Sequence, residues 1–102
     1  MNIGSEMNSD RPSIIYKASH YTLGEDIIAI PMTSALREKL SDKFDILIQK
    51  DKDNMLYHNS YLRLRQFKSV SKKRIGKKIG EITDSEVIKA IDARMKQMLG
   101  LK

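Results

Sequence analysis

The stretch Asp26–Ser34, DIIAIPMTS, decides how the chain folds. Ile27, Ile28, Ala29, Ile30 and Met32 are apolar and nearly consecutive. The run is too short for a helix and rich in β-branched residues, so it reads as a strand buried on both faces. Pro31 has no N–H to give to a ladder, which sets it at the strand's end or at a bulge. Thr33 and Ser34 follow, two hydroxyls at the rim where the buried strand surfaces. A rigid strand that ends in hydroxyls is a good mount for chemistry.

Upstream, residues 13–18 (SIIYKA) read as a short strand and residues 19–25 as a hairpin loop. Pro12 fixes its own φ and biases Arg11 to an extended backbone, which holds the Arg11 side chain at the strand's lip. Residues 1–12 read as a leading loop. Downstream, residues 33–40 suggest a helical turn or a surface loop, residues 44–49 (FDILIQ) a half-exposed strand, and residues 51–54 a turn. Residues 61–66 (YLRLRQ) alternate strictly, with Tyr61, Arg63 and Arg65 on one face and Leu62 and Leu64 on the other. Residues 67–71 continue as strand, and residues 72–82 form a basic connection.

Thr83-Asp84-Ser85-Glu86 has the form of a capping box, with Thr83 as N-cap and Glu86 at the third helical position. The helix over 83–99 sets Val87, Ile88, Ile91, Met95 and Met98 on one face, a stripe suited to a core. Gly100 is placed to cap its end. Strands that follow one another without helices, then one terminal helix, predict a mainly β domain. Its antiparallel sheet curls into a small barrel, with the helix plugging one end or covering one face.

At 102 residues the chain is one domain. It has no cysteine, so thiolate and disulfide chemistry are excluded and a cytosolic setting is the default. No apolar run approaches the roughly 20 residues that span a bilayer, and the N-terminus lacks a signal-peptide pattern. The net charge of +6 is unevenly spread. Residues 55–80 contain no Asp or Glu, yet carry Arg63, Arg65, Lys68, Lys72, Lys73, Arg74, Lys77 and Lys78. A one-signed stretch of that density, overlapping strands, favours a polyanion such as nucleic acid over a merely solvated surface.

No cluster of His, Cys or acidic residues has metal-ligand spacing, and no phosphate-binding glycine loop or nucleophile elbow is present. His20 and His58 lie in separate loops and read as surface residues. Glu6, Arg11 and Thr33 form a better set. Attack of an RNA 2′-hydroxyl on its own phosphate needs a proton acceptor, a proton donor and positive charge against the phosphorane. Arg11 offers charge and forked hydrogen bonds, Thr33 a neutral hydroxyl, and Glu6 a carboxylate that orients Arg11 or takes a proton. Taken singly, each has a plainer reading: an ion-pair partner, a turn cap and a solvated loop acid.

At these residues the chain resembles the MazF/PemK family of toxin endoribonucleases. Residues 4–15 (GSEMNSDRPSII) look like the family's G-S-E…R-P-x-x-V/I stretch, and residues 28–34 (IAIPMTS) like its strand ending P-x-T-S. Residues 66–82 are similar to its Q-I-R-x-I-D and K-I-G-x-L segments, and the closing MLGLK to its terminal L-G-L. The matches run in order over nearly the whole chain. They imply an SH3-like barrel, a homodimer, and metal-independent, cofactor-free cleavage of single-stranded RNA. The products would be a cyclic phosphate and a 5′-hydroxyl, and an acidic antitoxin would fold into the RNA groove. The resemblance sets the catalytic arginine on Arg11, the catalytic hydroxyl on Thr33 and the loop acid on Glu6. Ser34, Arg63, Arg65, Gln66, Lys68, Lys72, Lys73 and Arg74 are the expected RNA contacts.

Three departures accompany it. The chain is expected to lack the family's first strand, Arg65 and Lys68 replace Asp and Arg, and Asp10 stands beside Arg11. Two other functions share the fold: a non-catalytic member that binds RNA or antitoxin, and a gyrase-poisoning toxin.

Overall fold

The computed structural model describes residues 1–6, 12–16, 26–36, 39–40 and 42–100, with the side chains of all but Glu6, Asp26 and Lys72. Seven strands precede one helix: β1 (Asn2–Glu6), β2 (Pro12–Tyr16), β3 (Asp26–Ser34), β4 (Ile46–Ile48), β5 (Ser60–Leu62), β6 (Lys68–Ser71), β7 (Ile75–Glu81) and α1 (Ser85–Leu99). Short 3-10 turns occupy Leu64–Gln66 and Lys72–Arg74. Every strand pairing is antiparallel, as expected.

Two expected loops are strands. The leading segment contains β1, held between β2 (Ile3 opposite Ile14) and β7 (Asn2 opposite Glu81). A strand therefore does precede Pro12. Most of the basic connection is β7. Both segments are rich in glycine and polar residues, so their extension comes from neighbours on the sheet rather than from propensity.

β3 is the longest strand, and it is shared out among partners. Residues 26–29 pair with β6, residues 32–34 pair with β5, and residues 28–31 pair with β2 along the other edge. Pro31 falls at the seam between β5 and β6, mid-strand rather than at the end. There the Leu64–Gln66 turn interrupts the opposing ladder, so the missing N–H leaves no gap, and the Pro31 carbonyl accepts from Arg63 N at 2.9 Å.

The order is β4-β5-β3-β2-β1-β7, with β6 also on β3. β6 and β7 thus lie on opposite sides of the β3-β2-β1 group, yet only Lys72–Arg74 separates them. The sheet must curl strongly to allow this. It does not close into the expected barrel: among the described residues no ladder joins β4 to β7. The turn at residues 51–54 fills the gap instead. Glu81 N donates to Asp53 O at 2.9 Å. Asn54, 1% exposed, braces the turn from within, accepting from Asp51 N and Leu56 N and donating to Gln49 O. A Cβ on Gly80 would stand 2.3 Å from Asn54 O, so only glycine permits this approach.

Alternation divides the sheet's two faces. Ile3, Ile14, Tyr16, Ile28, Ile30, Met32, Leu62 and Leu64 form the main core with Ile91 and Met95 of α1. The methionine stripe is core packing, as expected. Tyr16 Oη donates to Asp92 Oδ1 at 2.6 Å and ties β2 to the helix. Burial first, then the adjacent carboxylate, push its pKa far above the ordinary tyrosine range, so it remains a donor. On the opposite face Ile27, Ala29 and Val70 cluster with Ile15 and Ile75, and no helix covers them among the described residues.

The helix starts one residue later than the capping box suggests. Asp84 is the N-cap, accepting from Glu86 N at 2.9 Å. Thr83 instead donates to Asp53 Oδ2 at 3.0 Å, helping to hold the 51–54 turn. Gly100 ends the helix at φ 71, as expected.

Candidate functional site

Three strand ends meet at one end of the sheet. β1 finishes there at Glu6, β2 begins there at Pro12, and β3 finishes there at Ser34. The register fixes this: Ser5 faces Pro12, and Ser13 faces Pro31. With strands about 4.8 Å apart, the ends of β1 and β3 lie about 10 Å from each other across β2. Glu6 is described only in its backbone, opposite Ile75. Arg11 lies outside the described residues, as does His20.

Thr33 stands on the open face, in line with Ile27, Ala29 and Pro31. The residue is half-buried, but its Oγ1 is covered and has no hydrogen-bond partner. It is the one such side-chain atom among the described residues. A buried hydroxyl left unpaired costs about 1–3 kcal/mol, and unpaired groups of this kind concentrate at working sites. Ser34 is used differently, its Oγ accepting from Leu36 N at 3.2 Å to cap the turn after β3.

Tyr61 is the neighbour that sequence reasoning missed. It sits directly across from Thr33 on β5, half-exposed, with the Arg63 guanidinium 5.4 Å from its ring centre. A ring beside the hydroxyl offers a stacking surface for a base. The alternation in residues 61–66 had placed Tyr61 on this face, but only a register could pair it with Thr33.

Arg63 corrects the sequence reading. Its side chain is 6% exposed, paired with Asp45 and donating to Lys39 O at 3.1 Å. β5 ends at Leu62, the chain turns, and the expected alternation stops there. Arg63 thus braces the segment between β3 and β4 from inside rather than meeting a ligand at the surface. Arg65 is exposed, 3.1 Å from Asp42, with its guanidinium 4.9 Å from the centre of the Phe44 ring. Gln66 is exposed and closes the same 3-10 turn. Lys68 lies opposite Ala29 on the open face, four residues or about 13 Å along β3 from Thr33. Lys73 and Arg74 are exposed in the turn before β7, beside Lys72. His58 is exposed. Among the described residues no group of His, Cys, Asp and Glu could hold a metal ion.

A groove of about 270 Å³ lies farther along the open face, lined by Gly4, Ile15, Ile27, Ile75, Gly76 and Lys78. Its walls are largely apolar, and Lys78 is the one cation among the lining residues. No helix among the described residues is long and apolar enough to cross a membrane.

Solved structures share this fold. The Mycobacterium tuberculosis toxin MazF-mt6 matches with a TM-score of 0.72 at 16% identity, covering 100% of this chain and 99% of its own. An endoribonuclease from a mycobacterial species matches at 0.71 and 16%, covering 98% and 88%. Another mycobacterial endoribonuclease, solved in complex with its cognate antitoxin, matches at 0.69 and 16%, covering 99% and 91%. At that identity the likeness speaks for the fold. No curated protein sequence matches the chain. The model of the PemK-like, MazF-like toxins of type II toxin-antitoxin systems matches residues 1–99, and the chain belongs to that family.

Proposed function

We propose that the protein is an endoribonuclease toxin that cleaves single-stranded RNA by internal transesterification without a metal. The observation that carries this reading is the unpartnered Thr33 hydroxyl, at the sheet end shared by Glu6 and by the residue bonded to Arg11. Turning χ1 exchanges Oγ1 with the methyl group and offers the hydroxyl to a phosphate oxygen. Arg11 faces the charge that grows on the phosphorane. Glu6 orients Arg11 or takes the 2′-hydroxyl proton. The O2′–P bond forms as the P–O5′ bond breaks, and the leaving O5′ takes a proton from solvent, giving a 2′,3′-cyclic phosphate and a 5′-hydroxyl. Tyr61 stacks a base beside the cleaved bond, and Gln66, Lys68, Lys73 and Arg74 hold the flanking backbone.

A homodimer accompanies this reading. The open-face cluster of Ile15, Ile27, Ala29, Val70 and Ile75 is a natural seat for a second copy. An acidic antitoxin is the partner that such a cationic chain invites. Purified protein, incubated with single-stranded RNA in EDTA, gives fragments ending in cyclic phosphate and starting with 5′-hydroxyl. The Arg11→Ala variant gives none. Equal cleavage by wild type and variant contradicts the assigned roles.

A further inference from the structure

We infer that the free edge of β7 is a strand-addition site for an acidic, extended peptide. β7 is the last strand of the sheet order, and among the described residues only β1 pairs with it. Gly76, Lys77 and Lys78 are exposed. A strand edge of this kind presents unpaired N–H and C=O groups.

One position on that edge is already filled, and it shows what fits. Met1 and Ile82 exchange hydrogen bonds at 2.8 and 3.0 Å. The N–H of Glu81 therefore points away from β1, and it donates to Asp53 O. That acceptor belongs to a turn reading Asp51-Lys52-Asp53, a passing backbone with carboxylates. The turn meets the edge at Gly80, and among the described residues no strand pairs with residues 75–79 on this side.

Charge selects the occupant. Lys73, Arg74, Lys77 and Lys78 are exposed along this strand and the turn before it, and Lys78 lies 3.9 Å from Glu81. A single lysine suffices to discourage a sheet edge from pairing. Four cations, in a stretch without acids from residue 55 to 80, repel a second copy of this strand and admit one of opposite sign. Backbone hydrogen bonds then supply affinity and the carboxylates supply choice. The site stands on this geometry alone; only the identification of its natural occupant as an antitoxin segment rests on the toxin reading.

The test uses a synthetic peptide of about ten residues alternating Glu and Val, with amide hydrogen exchange and titration as readouts. The peptide is expected to bind, to slow exchange of amides within residues 75–79, and to weaken as salt rises. The double variant Lys77→Ser/Lys78→Ser keeps the fold and weakens binding roughly five- to tenfold. N-methylating alternate residues of the peptide, with its charge unchanged, abolishes binding. Unchanged binding by the N-methylated peptide, no protection within β7, or protection by a single-stranded RNA oligomer but not by the peptide overturns the inference. A protein that leaves RNA intact yet binds the peptide overturns the nuclease reading and leaves this one standing.

Discussion

The two faces of one sheet have opposite fates. Beneath α1, Ile28, Ile30 and Met32 of β3 meet Ile91 and Met95, and packing is complete. On the other face the same strand presents Ile27, Ala29 and Thr33, with a small apolar cluster, an unpaired hydroxyl and cations at the margin. The alternation that builds the core on one side therefore aims function out of the other. Stability and activity should separate by face.

The largest effect is expected from the buried Asp45–Arg63 pair, which braces the segment between β3 and β4. Asp45→Ala removes the carboxylate from beside a buried guanidinium, and chemical denaturation should show a loss of about 3–5 kcal/mol. Next, Ile91→Ala opens a cavity under the helix and costs about 2–5 kcal/mol by the same measurement. Asp84→Ala removes the N-cap and costs about 1 kcal/mol, whereas Thr83→Ala, which only loses a bond to Asp53, costs less. A larger loss for Thr83 than for Asp84 would restore the capping box read from the sequence.

Across the sheet, Ile15→Ser is expected to leave the unfolding free energy within about 0.5 kcal/mol of wild type, as for substitutions away from a packed core. In sedimentation, however, it should shift assembly towards monomer. A matching loss of stability would show that the open face is core after all.

How far the sequence showed this division depends on the residue. The run of apolar residues in β3 forces a strand, and the later strands and the glycine-capped helix follow local rules. β1 escaped because Ile3 is its one large apolar residue, and its extension depends on β2 and β7 on either side. Arg63 escaped because alternation assumes an unbroken strand, and a 3-10 turn anchored by buried Leu64 breaks it. The sheet remains open because the 51–54 turn occupies the place a closing ladder would need, which only the fit at Gly80 reveals. Of the candidate site, Thr33 was legible as a hydroxyl after a buried strand. Its lack of a partner, and Tyr61 opposite it, were tertiary facts.

The decisive measurement is on Thr33→Val, which keeps the side chain's shape and removes the hydroxyl. If that hydroxyl is held unpaired for a phosphate, the variant melts at or above the wild-type temperature, because a buried unsatisfied group is gone. Its cleavage of single-stranded RNA in EDTA falls by about 100-fold or more. Wild-type cleavage by a Thr33→Val protein of unchanged fold would contradict the account.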